Sequence, residues 1–326
     1  MRRLCPLRER FGQVLHVRGS SAAHILLECG RRKTSAGVHN FVLGRASPIR
    51  YALPVACTAT PPSLKNRVAE FWSTEPCGSR YLGSALDFKL HSEARYALEP
   101  HIPQFAQFSK SRGLRVLEIG VGMGADYERW LKAGATATGV DLSPASLDRA
   151  SRRCAQGGLT PDLQVADAEH LPFEDCKFDV VYSYGVMHHS PDTAECLQEA
   201  WRVLKLGGEA RIMLYHHASL TGFMLWLRYG IWHGQSIRQC VYERLESPGT
   251  KTFTFGEVLC MMRDFEQVAI EQVFSPGDLL LNRPSARFQS LVYRMMWKVF
   301  PRWLVRRVGR RWGLFLLITA RKPSYM

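Results

Sequence analysis

Between Leu64 and Phe108, apolar residues recur every three and four positions in LKNRVAEFW and LHSEARYALEPHIPQFAQF. That spacing predicts amphipathic helices, which form a cap on the N-terminal side of the first strand. A regular alternation then begins. LRVLEIG (114–120) is a short apolar run ending in glycine, the pattern of a buried strand. ADYERWLKAG (125–134) reads as a helix closed by a C-terminal glycine. ATATGVDL (135–142) is a second strand, and Ser143 with Pro144 opens the next helix as N-cap and first-turn residue. DLQVAD (162–167) and FDVVYSYG (178–185) are further strands, DTAECLQEAWRVLK (192–205) a helix, and GGEARIMLYH (207–216) the fifth strand. FEQVAIEQV (265–273) and GLFLLITARK (313–322) complete the set. Strands alternating with helices predict an α/β fold, a parallel sheet wound on both faces. Two long inserts interrupt it, at about 217–253 and 275–312, and loops of that length in a compact domain are usually functional.

Charge divides the chain unevenly. The net charge is +14, yet residues 64–282 carry 22 basic and 27 acidic side chains. Residues 1–63 hold ten basic and two acidic residues, and 283–326 hold eleven basic and none acidic. The body is mildly acidic, so a general nucleic-acid surface is not expected. Residues 1–63 (MRRLCPLRER, GRRKTSAG, TATPPS) lack a period. Their Arg-rich, acid-poor texture fits a transit-like segment, a disordered tail or a region upstream of a misassigned start, and no function is assigned to them. Nine cysteines are scattered without a CxxC pair, which argues against a disulfide framework or a zinc site and for a reducing compartment. No apolar run approaches the length of a membrane span. The expected domain plan is 1–63 extension, 64–110 helical cap and 111–326 main α/β domain, with a cytoplasmic location.

The stretch EIGVGMGAD (118–126) carries the chemistry. Gly120-x-Gly122-x-x-Ala125 fits the dinucleotide fingerprint of NAD and FAD enzymes. Gly120-x-Gly122-x-Gly124 with Glu118 ahead of it fits S-adenosylmethionine (SAM) binding equally well. Asp141 stands where either cofactor needs a carboxylate for its ribose. The glycines alone leave both open.

The ordered set VLEIGVGMGAD, GVDLSPASLDRA, ADAEHLPFEDCKFDVVYSYGVMHHSPD and WRVLKLGGEARIMLY resembles class I SAM-dependent methyltransferases, nearest the ubiquinone/menaquinone-methylase-like (type 11) domain. The resemblance covers about 110 to 216. It implies a Rossmann-like, seven-stranded, mostly parallel sheet and SAM as cofactor. It further implies that Gly120, Gly122 and Gly124 pass under the methionine part, and that Glu118 organises the loop and faces the amino group. Asp141, followed by Leu142, takes the ribose hydroxyls. Asp167 and the Ala168 N–H meet the adenine, and Tyr184 and Gly185 line the methyl end. Asp126, just inside a helix, is expected to serve the helix dipole rather than the ligand.

Methyl transfer is an in-line displacement, and a base is needed only if the acceptor loses a proton. His188-His189 and His216-His217 follow neighbouring strands, so His188 or His216 is a candidate to orient or deprotonate the acceptor. The competing reading is that these histidines cap and pack. No metal is expected, since adjacent histidines seldom point the same way. Tyr81, Arg95 and Tyr96 in the cap are candidates to close over the methionine moiety, against simple helix packing. LVYRMMWKVFPRWLVRRVGRRWG (291–313) mixes cations with aromatics. It reads as a peripheral membrane contact suited to a lipid- or quinone-like acceptor, or as a covering helix pair with solvated arginines. A non-catalytic, membrane-associated SAM-fold binding protein and an NAD oxidoreductase are the alternatives to an enzyme that methylates a small molecule.

Overall fold

Along each central strand, successive side chains serve opposite faces, as the pleat requires. Val116, Val180 and Tyr182 enter one core with Tyr127, Trp130, Ala150 and Phe105, while Leu117, Ile119 and Val181 enter another with Leu197, Val203 and Val258. Both faces of the sheet are therefore covered by helices, and that is why the strands read as nearly unbroken apolar runs. In this computed structural model, residues 64–74, 83–247, 249–281, 295, 298–309 and 311–325 are described. The N-terminal extension, Tyr81 and much of 291–313 lie outside the described residues.

The strands are β1 (Arg115–Ile119), β2 (Thr136–Asp141), β3 (Asp162–Val165), β4 (Phe178–Tyr184), β5 (Leu204–Tyr215), β6 (Glu266–Val273) and β7 (Phe315–Arg321). Their order in the sheet is β3-β2-β1-β4-β5-β7-β6. The pairs β1–β2, β2–β3, β1–β4 and β4–β5 are parallel, and β7 runs antiparallel to both β5 and β6. All seven predicted strands form, in a mostly parallel, doubly wound sheet. Strand order reverses between β1 and β4, and in such sheets a ligand crevice opens there, beyond the strands' carboxyl ends.

Helices α1 (Leu64–Thr74), α2 (Ala85–Leu98) and α3 (Ile102–Ala106) build the cap. Pro100, which has no N–H to donate, falls where the single run predicted through this region divides into α2 and α3. Helices α4 (Ala125–Lys132), α5 (Pro144–Gln156) and α6 (Thr193–Val203) are the crossover helices. Ser143 caps α5, accepting the Ser146 N–H, and Gly134 closes α4 in the left-handed region with φ +84°. α6 stops at Val203, two residues short of the predicted end. Leu204 is already strand, and the Gly207-Gly208 pair is absorbed into β5, where Gly207 takes φ +72°.

The first insert holds α7 (Leu220–Leu225), a wide turn (Trp226–Gly230), a short 3-10 turn (Ile231–His233) and α8 (Ile237–Arg244); α9 (Phe255–Met261) then leads into β6. The second insert holds α10 (Arg302–Val308). Among the described residues no helix is long and apolar enough to cross a membrane.

Candidate active site

Three glycines turn the chain from β1 into α4, and each answers a different constraint. All three have positive φ, which glycine adopts without strain. At Gly120 an added Cβ would stand 2.1 Å from Val186 Cγ2, and at Gly124 it would stand 2.9 Å from Ala150 Cβ. At Gly122 it would meet nothing within 4 Å, because that face borders an open cleft. The cleft encloses about 1230 Å³ counting its mouth, and lies beyond the ends of β1, β2 and β4. This is the switch point of the sheet.

Each wall of the cleft offers its own chemistry. Asp141 ends β2 with Oδ2 accepting the Gly122 N–H and Oδ1 accepting the Ser143 N–H, each at 2.9 Å. These bonds aim the carboxylate into the cleft with lone pairs to spare. Glu118, at the end of β1, is buried, and its Oε2 accepts no hydrogen bond. Burial, and Asp126 nearby, push its carboxyl well above the usual range. A buried acceptor without a donor is costly unless a ligand supplies one. Asp167 follows β3 and pairs with Lys65 of α1 at 2.5 Å; the same ammonium reaches Glu169 at 2.5 Å. Val68, Ala69 and Trp72 of α1 also line the cleft, so the first cap helix lies along one wall.

The far end is built by β4 and its turn. Tyr184 and Gly185 line the cleft, and Tyr184 Oη lies 2.7 Å from His101 Nε2. Arg95 of α2 reaches across, its guanidinium 5.1 Å from the Tyr184 ring centre. It pairs with Asp126 at 2.6 Å, and the Tyr96 and Tyr182 hydroxyls donate to the same carboxylate at 2.8 and 2.9 Å. Asp126 thus differs from the expectation of a dipole residue: it stands in the first turn of α4 but is buried at the centre of a network joining cap to sheet. Burial opposes its ionisation, yet Arg95 and the phenols hold it below the usual carboxylate range. Tyr96 is committed to this network and to the Ala125 carbonyl, while Arg95 also borders the cleft.

Of the residues expected to bind cofactor, Glu118, Gly120, Gly122, Asp141, Leu142, Asp167, Ala168, Tyr184 and Gly185 line this cleft. Gly124 sits behind the loop, against Ala150. The histidines differ more. Neither His188 nor His216 forms part of the wall. His188 is fully buried and stacked on Tyr215 at 3.7 Å between ring centres, where burial drives its pKa well down. His216 packs on Phe255 and its Nδ1 lies 2.7 Å from the Gln272 amide and 2.9 Å from the Ala218 carbonyl. His189, the neighbour of His188, faces the cleft instead. Consecutive residues of a 3-10 turn project about 120° apart, so one His of the pair looks inward and one outward.

His189 Nδ1 lies 2.8 Å from Ser247 Oγ and 3.1 Å from Thr250 Oγ1, and its Nε2 lies 3.3 Å from Glu246 Oε2. Tyr215 donates to the same Glu246 oxygen at 3.0 Å. His188, His189 and Glu246 bring one ligand atom each to within 4.8 Å of one another, the make-up of a cation site. The buried His189 Nε2 faces the Glu246 carboxylate. Glu246, Ser247 and Lys65 have no signal in the sequence, because they lie in an insert or the cap, far along the chain from the glycine loop.

The wall suits SAM better than a dinucleotide. SAM needs an acceptor for an ammonium, a carboxylate for a diol and no phosphate cradle. Glu118 and Asp141 offer the first two, and the two Lys or Arg side chains lining the cleft, Lys65 and Arg95, are both paired with carboxylates.

A doubly wound sheet with a carboxylate-lined cleft at its switch point defines a nucleoside-cofactor domain. Residues 117–212 match the family model described as a methyltransferase domain, and the chain carries a class I SAM-dependent methyltransferase domain. An uncharacterised protein of Mycobacterium tuberculosis is 40% identical over 114 residues, covering 35% of this chain and 41% of that protein. The chloroplastic tocopherol O-methyltransferase of Arabidopsis thaliana is 34% identical over 139 residues, covering 40% of each. The match therefore spans about two fifths of the length of these curated relatives. The fold is similar to that of a Haloferax volcanii methyltransferase solved in complex with the Trm112 methyltransferase activator, with TM-score 0.54 and 18% identity over 79% of this chain and 99% of that one.

Proposed function

We propose that the chain methylates a small hydrophobic acceptor of lipid- or quinone-like type. The observation that carries the reading is the pairing of Glu118, a buried carboxyl group with an unpartnered oxygen, with Asp141, a carboxylate aimed by two main-chain donors, across the glycine loop. In this reading Glu118 faces the cofactor's ammonium, Asp141 takes the ribose hydroxyls, Asp167 and the Ala168 N–H meet the adenine, and Gly120 and Gly122 let the loop approach. SAM supplies a methyl group on a sulfonium, already activated for displacement. The protein's own task is to hold the acceptor in line and keep water out. Val68, Ala69, Trp72, Val186 and Met187 supply an apolar wall for that purpose.

His189 is a positioning residue in this reading. Its Nδ1 meets Ser247 and Thr250 and its buried Nε2 faces the Glu246 carboxylate, so the ring is held in one orientation at the cleft wall. The name of the tocopherol O-methyltransferase supports a hydroxyl on a hydrophobic molecule. Calorimetric titration of the full chain with SAM, S-adenosylhomocysteine and NADH tests the cofactor. Binding of the first two, lost in Asp141→Ala, is expected; binding of NADH alone would overturn the reading.

A further inference from the structure

The two inserts begin on opposite sides of the chain's topology and arrive at one place. The first leaves the end of β5, at Tyr215. The second enters the start of β7, at Phe315, and Tyr215 and Phe315 are register partners because β7 runs antiparallel. Both inserts therefore rise from the edge of the sheet at which the cleft opens. They also touch, for the Leu220 N–H donates to the Trp312 carbonyl at 2.8 Å, and Thr221 bonds Asp278 through its N–H and its hydroxyl.

What they expose there is unusual for a protein surface. Phe223, Leu227 and Ile231 recur four apart along the first insert, and Ile231 is 48% and Trp232 80% exposed. On α10, Trp303 is 72% exposed and Leu304 40%. Arg306 and Arg307 follow Trp303 by three and four residues, on the same side of the helix. Charge is one-sided. The first insert, 217–253, has four basic and two acidic residues, its stripe from His217 to Ile237 has one arginine and no acid, and 283–326 has eleven basic residues and no acid, although the body of the chain is net acidic. An apolar partner protein would not require so uniform a sign. Aromatic and aliphatic side chains projecting beside arginines, at the end of short helices, match the headgroup region of an anionic bilayer.

We infer that the stripe of the first insert and α10 together form a docking face for an anionic lipid surface, which sets the mouth of the cleft against the membrane. This deepens the proposed reading, on whose hydrophobic acceptor it rests: the acceptor is one that resides in that membrane and reaches the cleft without crossing water. In the sequence, the second insert alone suggests such a contact. The first insert's contribution comes from the antiparallel β7.

The test is vesicle sedimentation of the full chain with phosphatidylglycerol/phosphatidylcholine vesicles and with phosphatidylcholine alone, at low and high salt. Binding to the anionic vesicles, weakened by salt, is expected. Trp232→Glu/Trp303→Glu should lower partitioning by about tenfold or more, and Arg306→Glu/Arg307→Glu by a similar factor, since each basic residue near such a surface contributes about 1 kcal/mol. Affinity for S-adenosylhomocysteine, read on the same variants, should stay at the wild-type value. That keeps folding and the methyltransferase reading separate from docking. Unchanged partitioning in both variants would overturn the proposal and move the contact to the basic residues 1–63. Failure of the wild type to bind anionic vesicles, or retention on an RNA or DNA column lost in the same variants, would also overturn it.

Discussion

Arg95 of the cap meets Asp126 of the sheet domain at 2.6 Å, with both side chains largely withdrawn from solvent. The pair is the main polar joint between α2 and α4. Arg95→Ala leaves Asp126 buried with two phenol donors and no counter-charge. Breaking one half of a buried pair costs about 3–5 kcal/mol. Urea unfolding should show that loss, and a change under about 1 kcal/mol would mean the cap is not held this way.

Gly120 and Gly122 separate folding from ligand binding. Gly120→Ala drives a Cβ to within 2.1 Å of Val186 at φ +82°, so the loop must move and stability should fall by about 2 kcal/mol or more. Gly122→Ala meets no protein atom within 4 Å, though its φ of +55° adds modest strain. Its methyl enters the room assigned to the cofactor. Thermal unfolding should therefore mark Gly120→Ala, and calorimetry with S-adenosylhomocysteine should mark Gly122→Ala.

The cap carries a hidden pH balance. Burial pushes Glu99 up to about 7, Arg95 opposing, while burial and the Arg95 charge push His101 down to about 4. For Glu99 the folded state holds its proton more tightly than the unfolded chain. That favourable contribution is complete below the unfolded carboxyl pKa and is lost as pH rises toward 7. For His101 the folded state binds the proton less tightly, so stability is gained as pH rises from about 4 through the ordinary histidine range. The two nearly cancel in the wild type. Glu99→Gln removes one side, and its stability relative to wild type should rise between pH 4.5 and 7.5, by about 3 kcal/mol at most. Urea titrations at the two pH values read the difference, and equal offsets at both would exclude it.

His189→Ala and Glu246→Gln should each reduce turnover on a responsive lipid or quinol acceptor by about 10² through lost positioning, with S-adenosylhomocysteine affinity within about twofold. His216→Ala should keep wild-type turnover, since its ring lies outside the wall. Unchanged turnover in His189→Ala would remove its ring from the acceptor's site.

The sheet was legible because its strands are buried on both faces and stand out as short apolar runs. The carboxylates Glu118, Asp141 and Asp167 were legible for a related reason: each sits at or just beyond the end of such a run, where a buried strand meets the cleft. Direction around a turn was not legible. The pair His188-His189 announced a histidine without saying which one faces in. Asp126 looked like an ordinary first-turn acid, and only the cap, packed from thirty residues upstream, turns it into a buried anion. Lys65, more than a hundred residues from Asp167, left no local trace of their pairing.

The single reversed strand at the β5 side divides the molecule into two kinds of sequence space. The β1–β4 half carries the glycine loop and the three carboxylates that the proposed reading assigns to the methyl donor, so a change there would reach every acceptor alike. The inserts around β7 touch the same opening but hang from the other half. Their length, aromatics and charge can drift without disturbing a residue of the glycine loop. A lineage built this way can exchange one acceptor for another by rewriting two loops, keeping its methyl donor fixed.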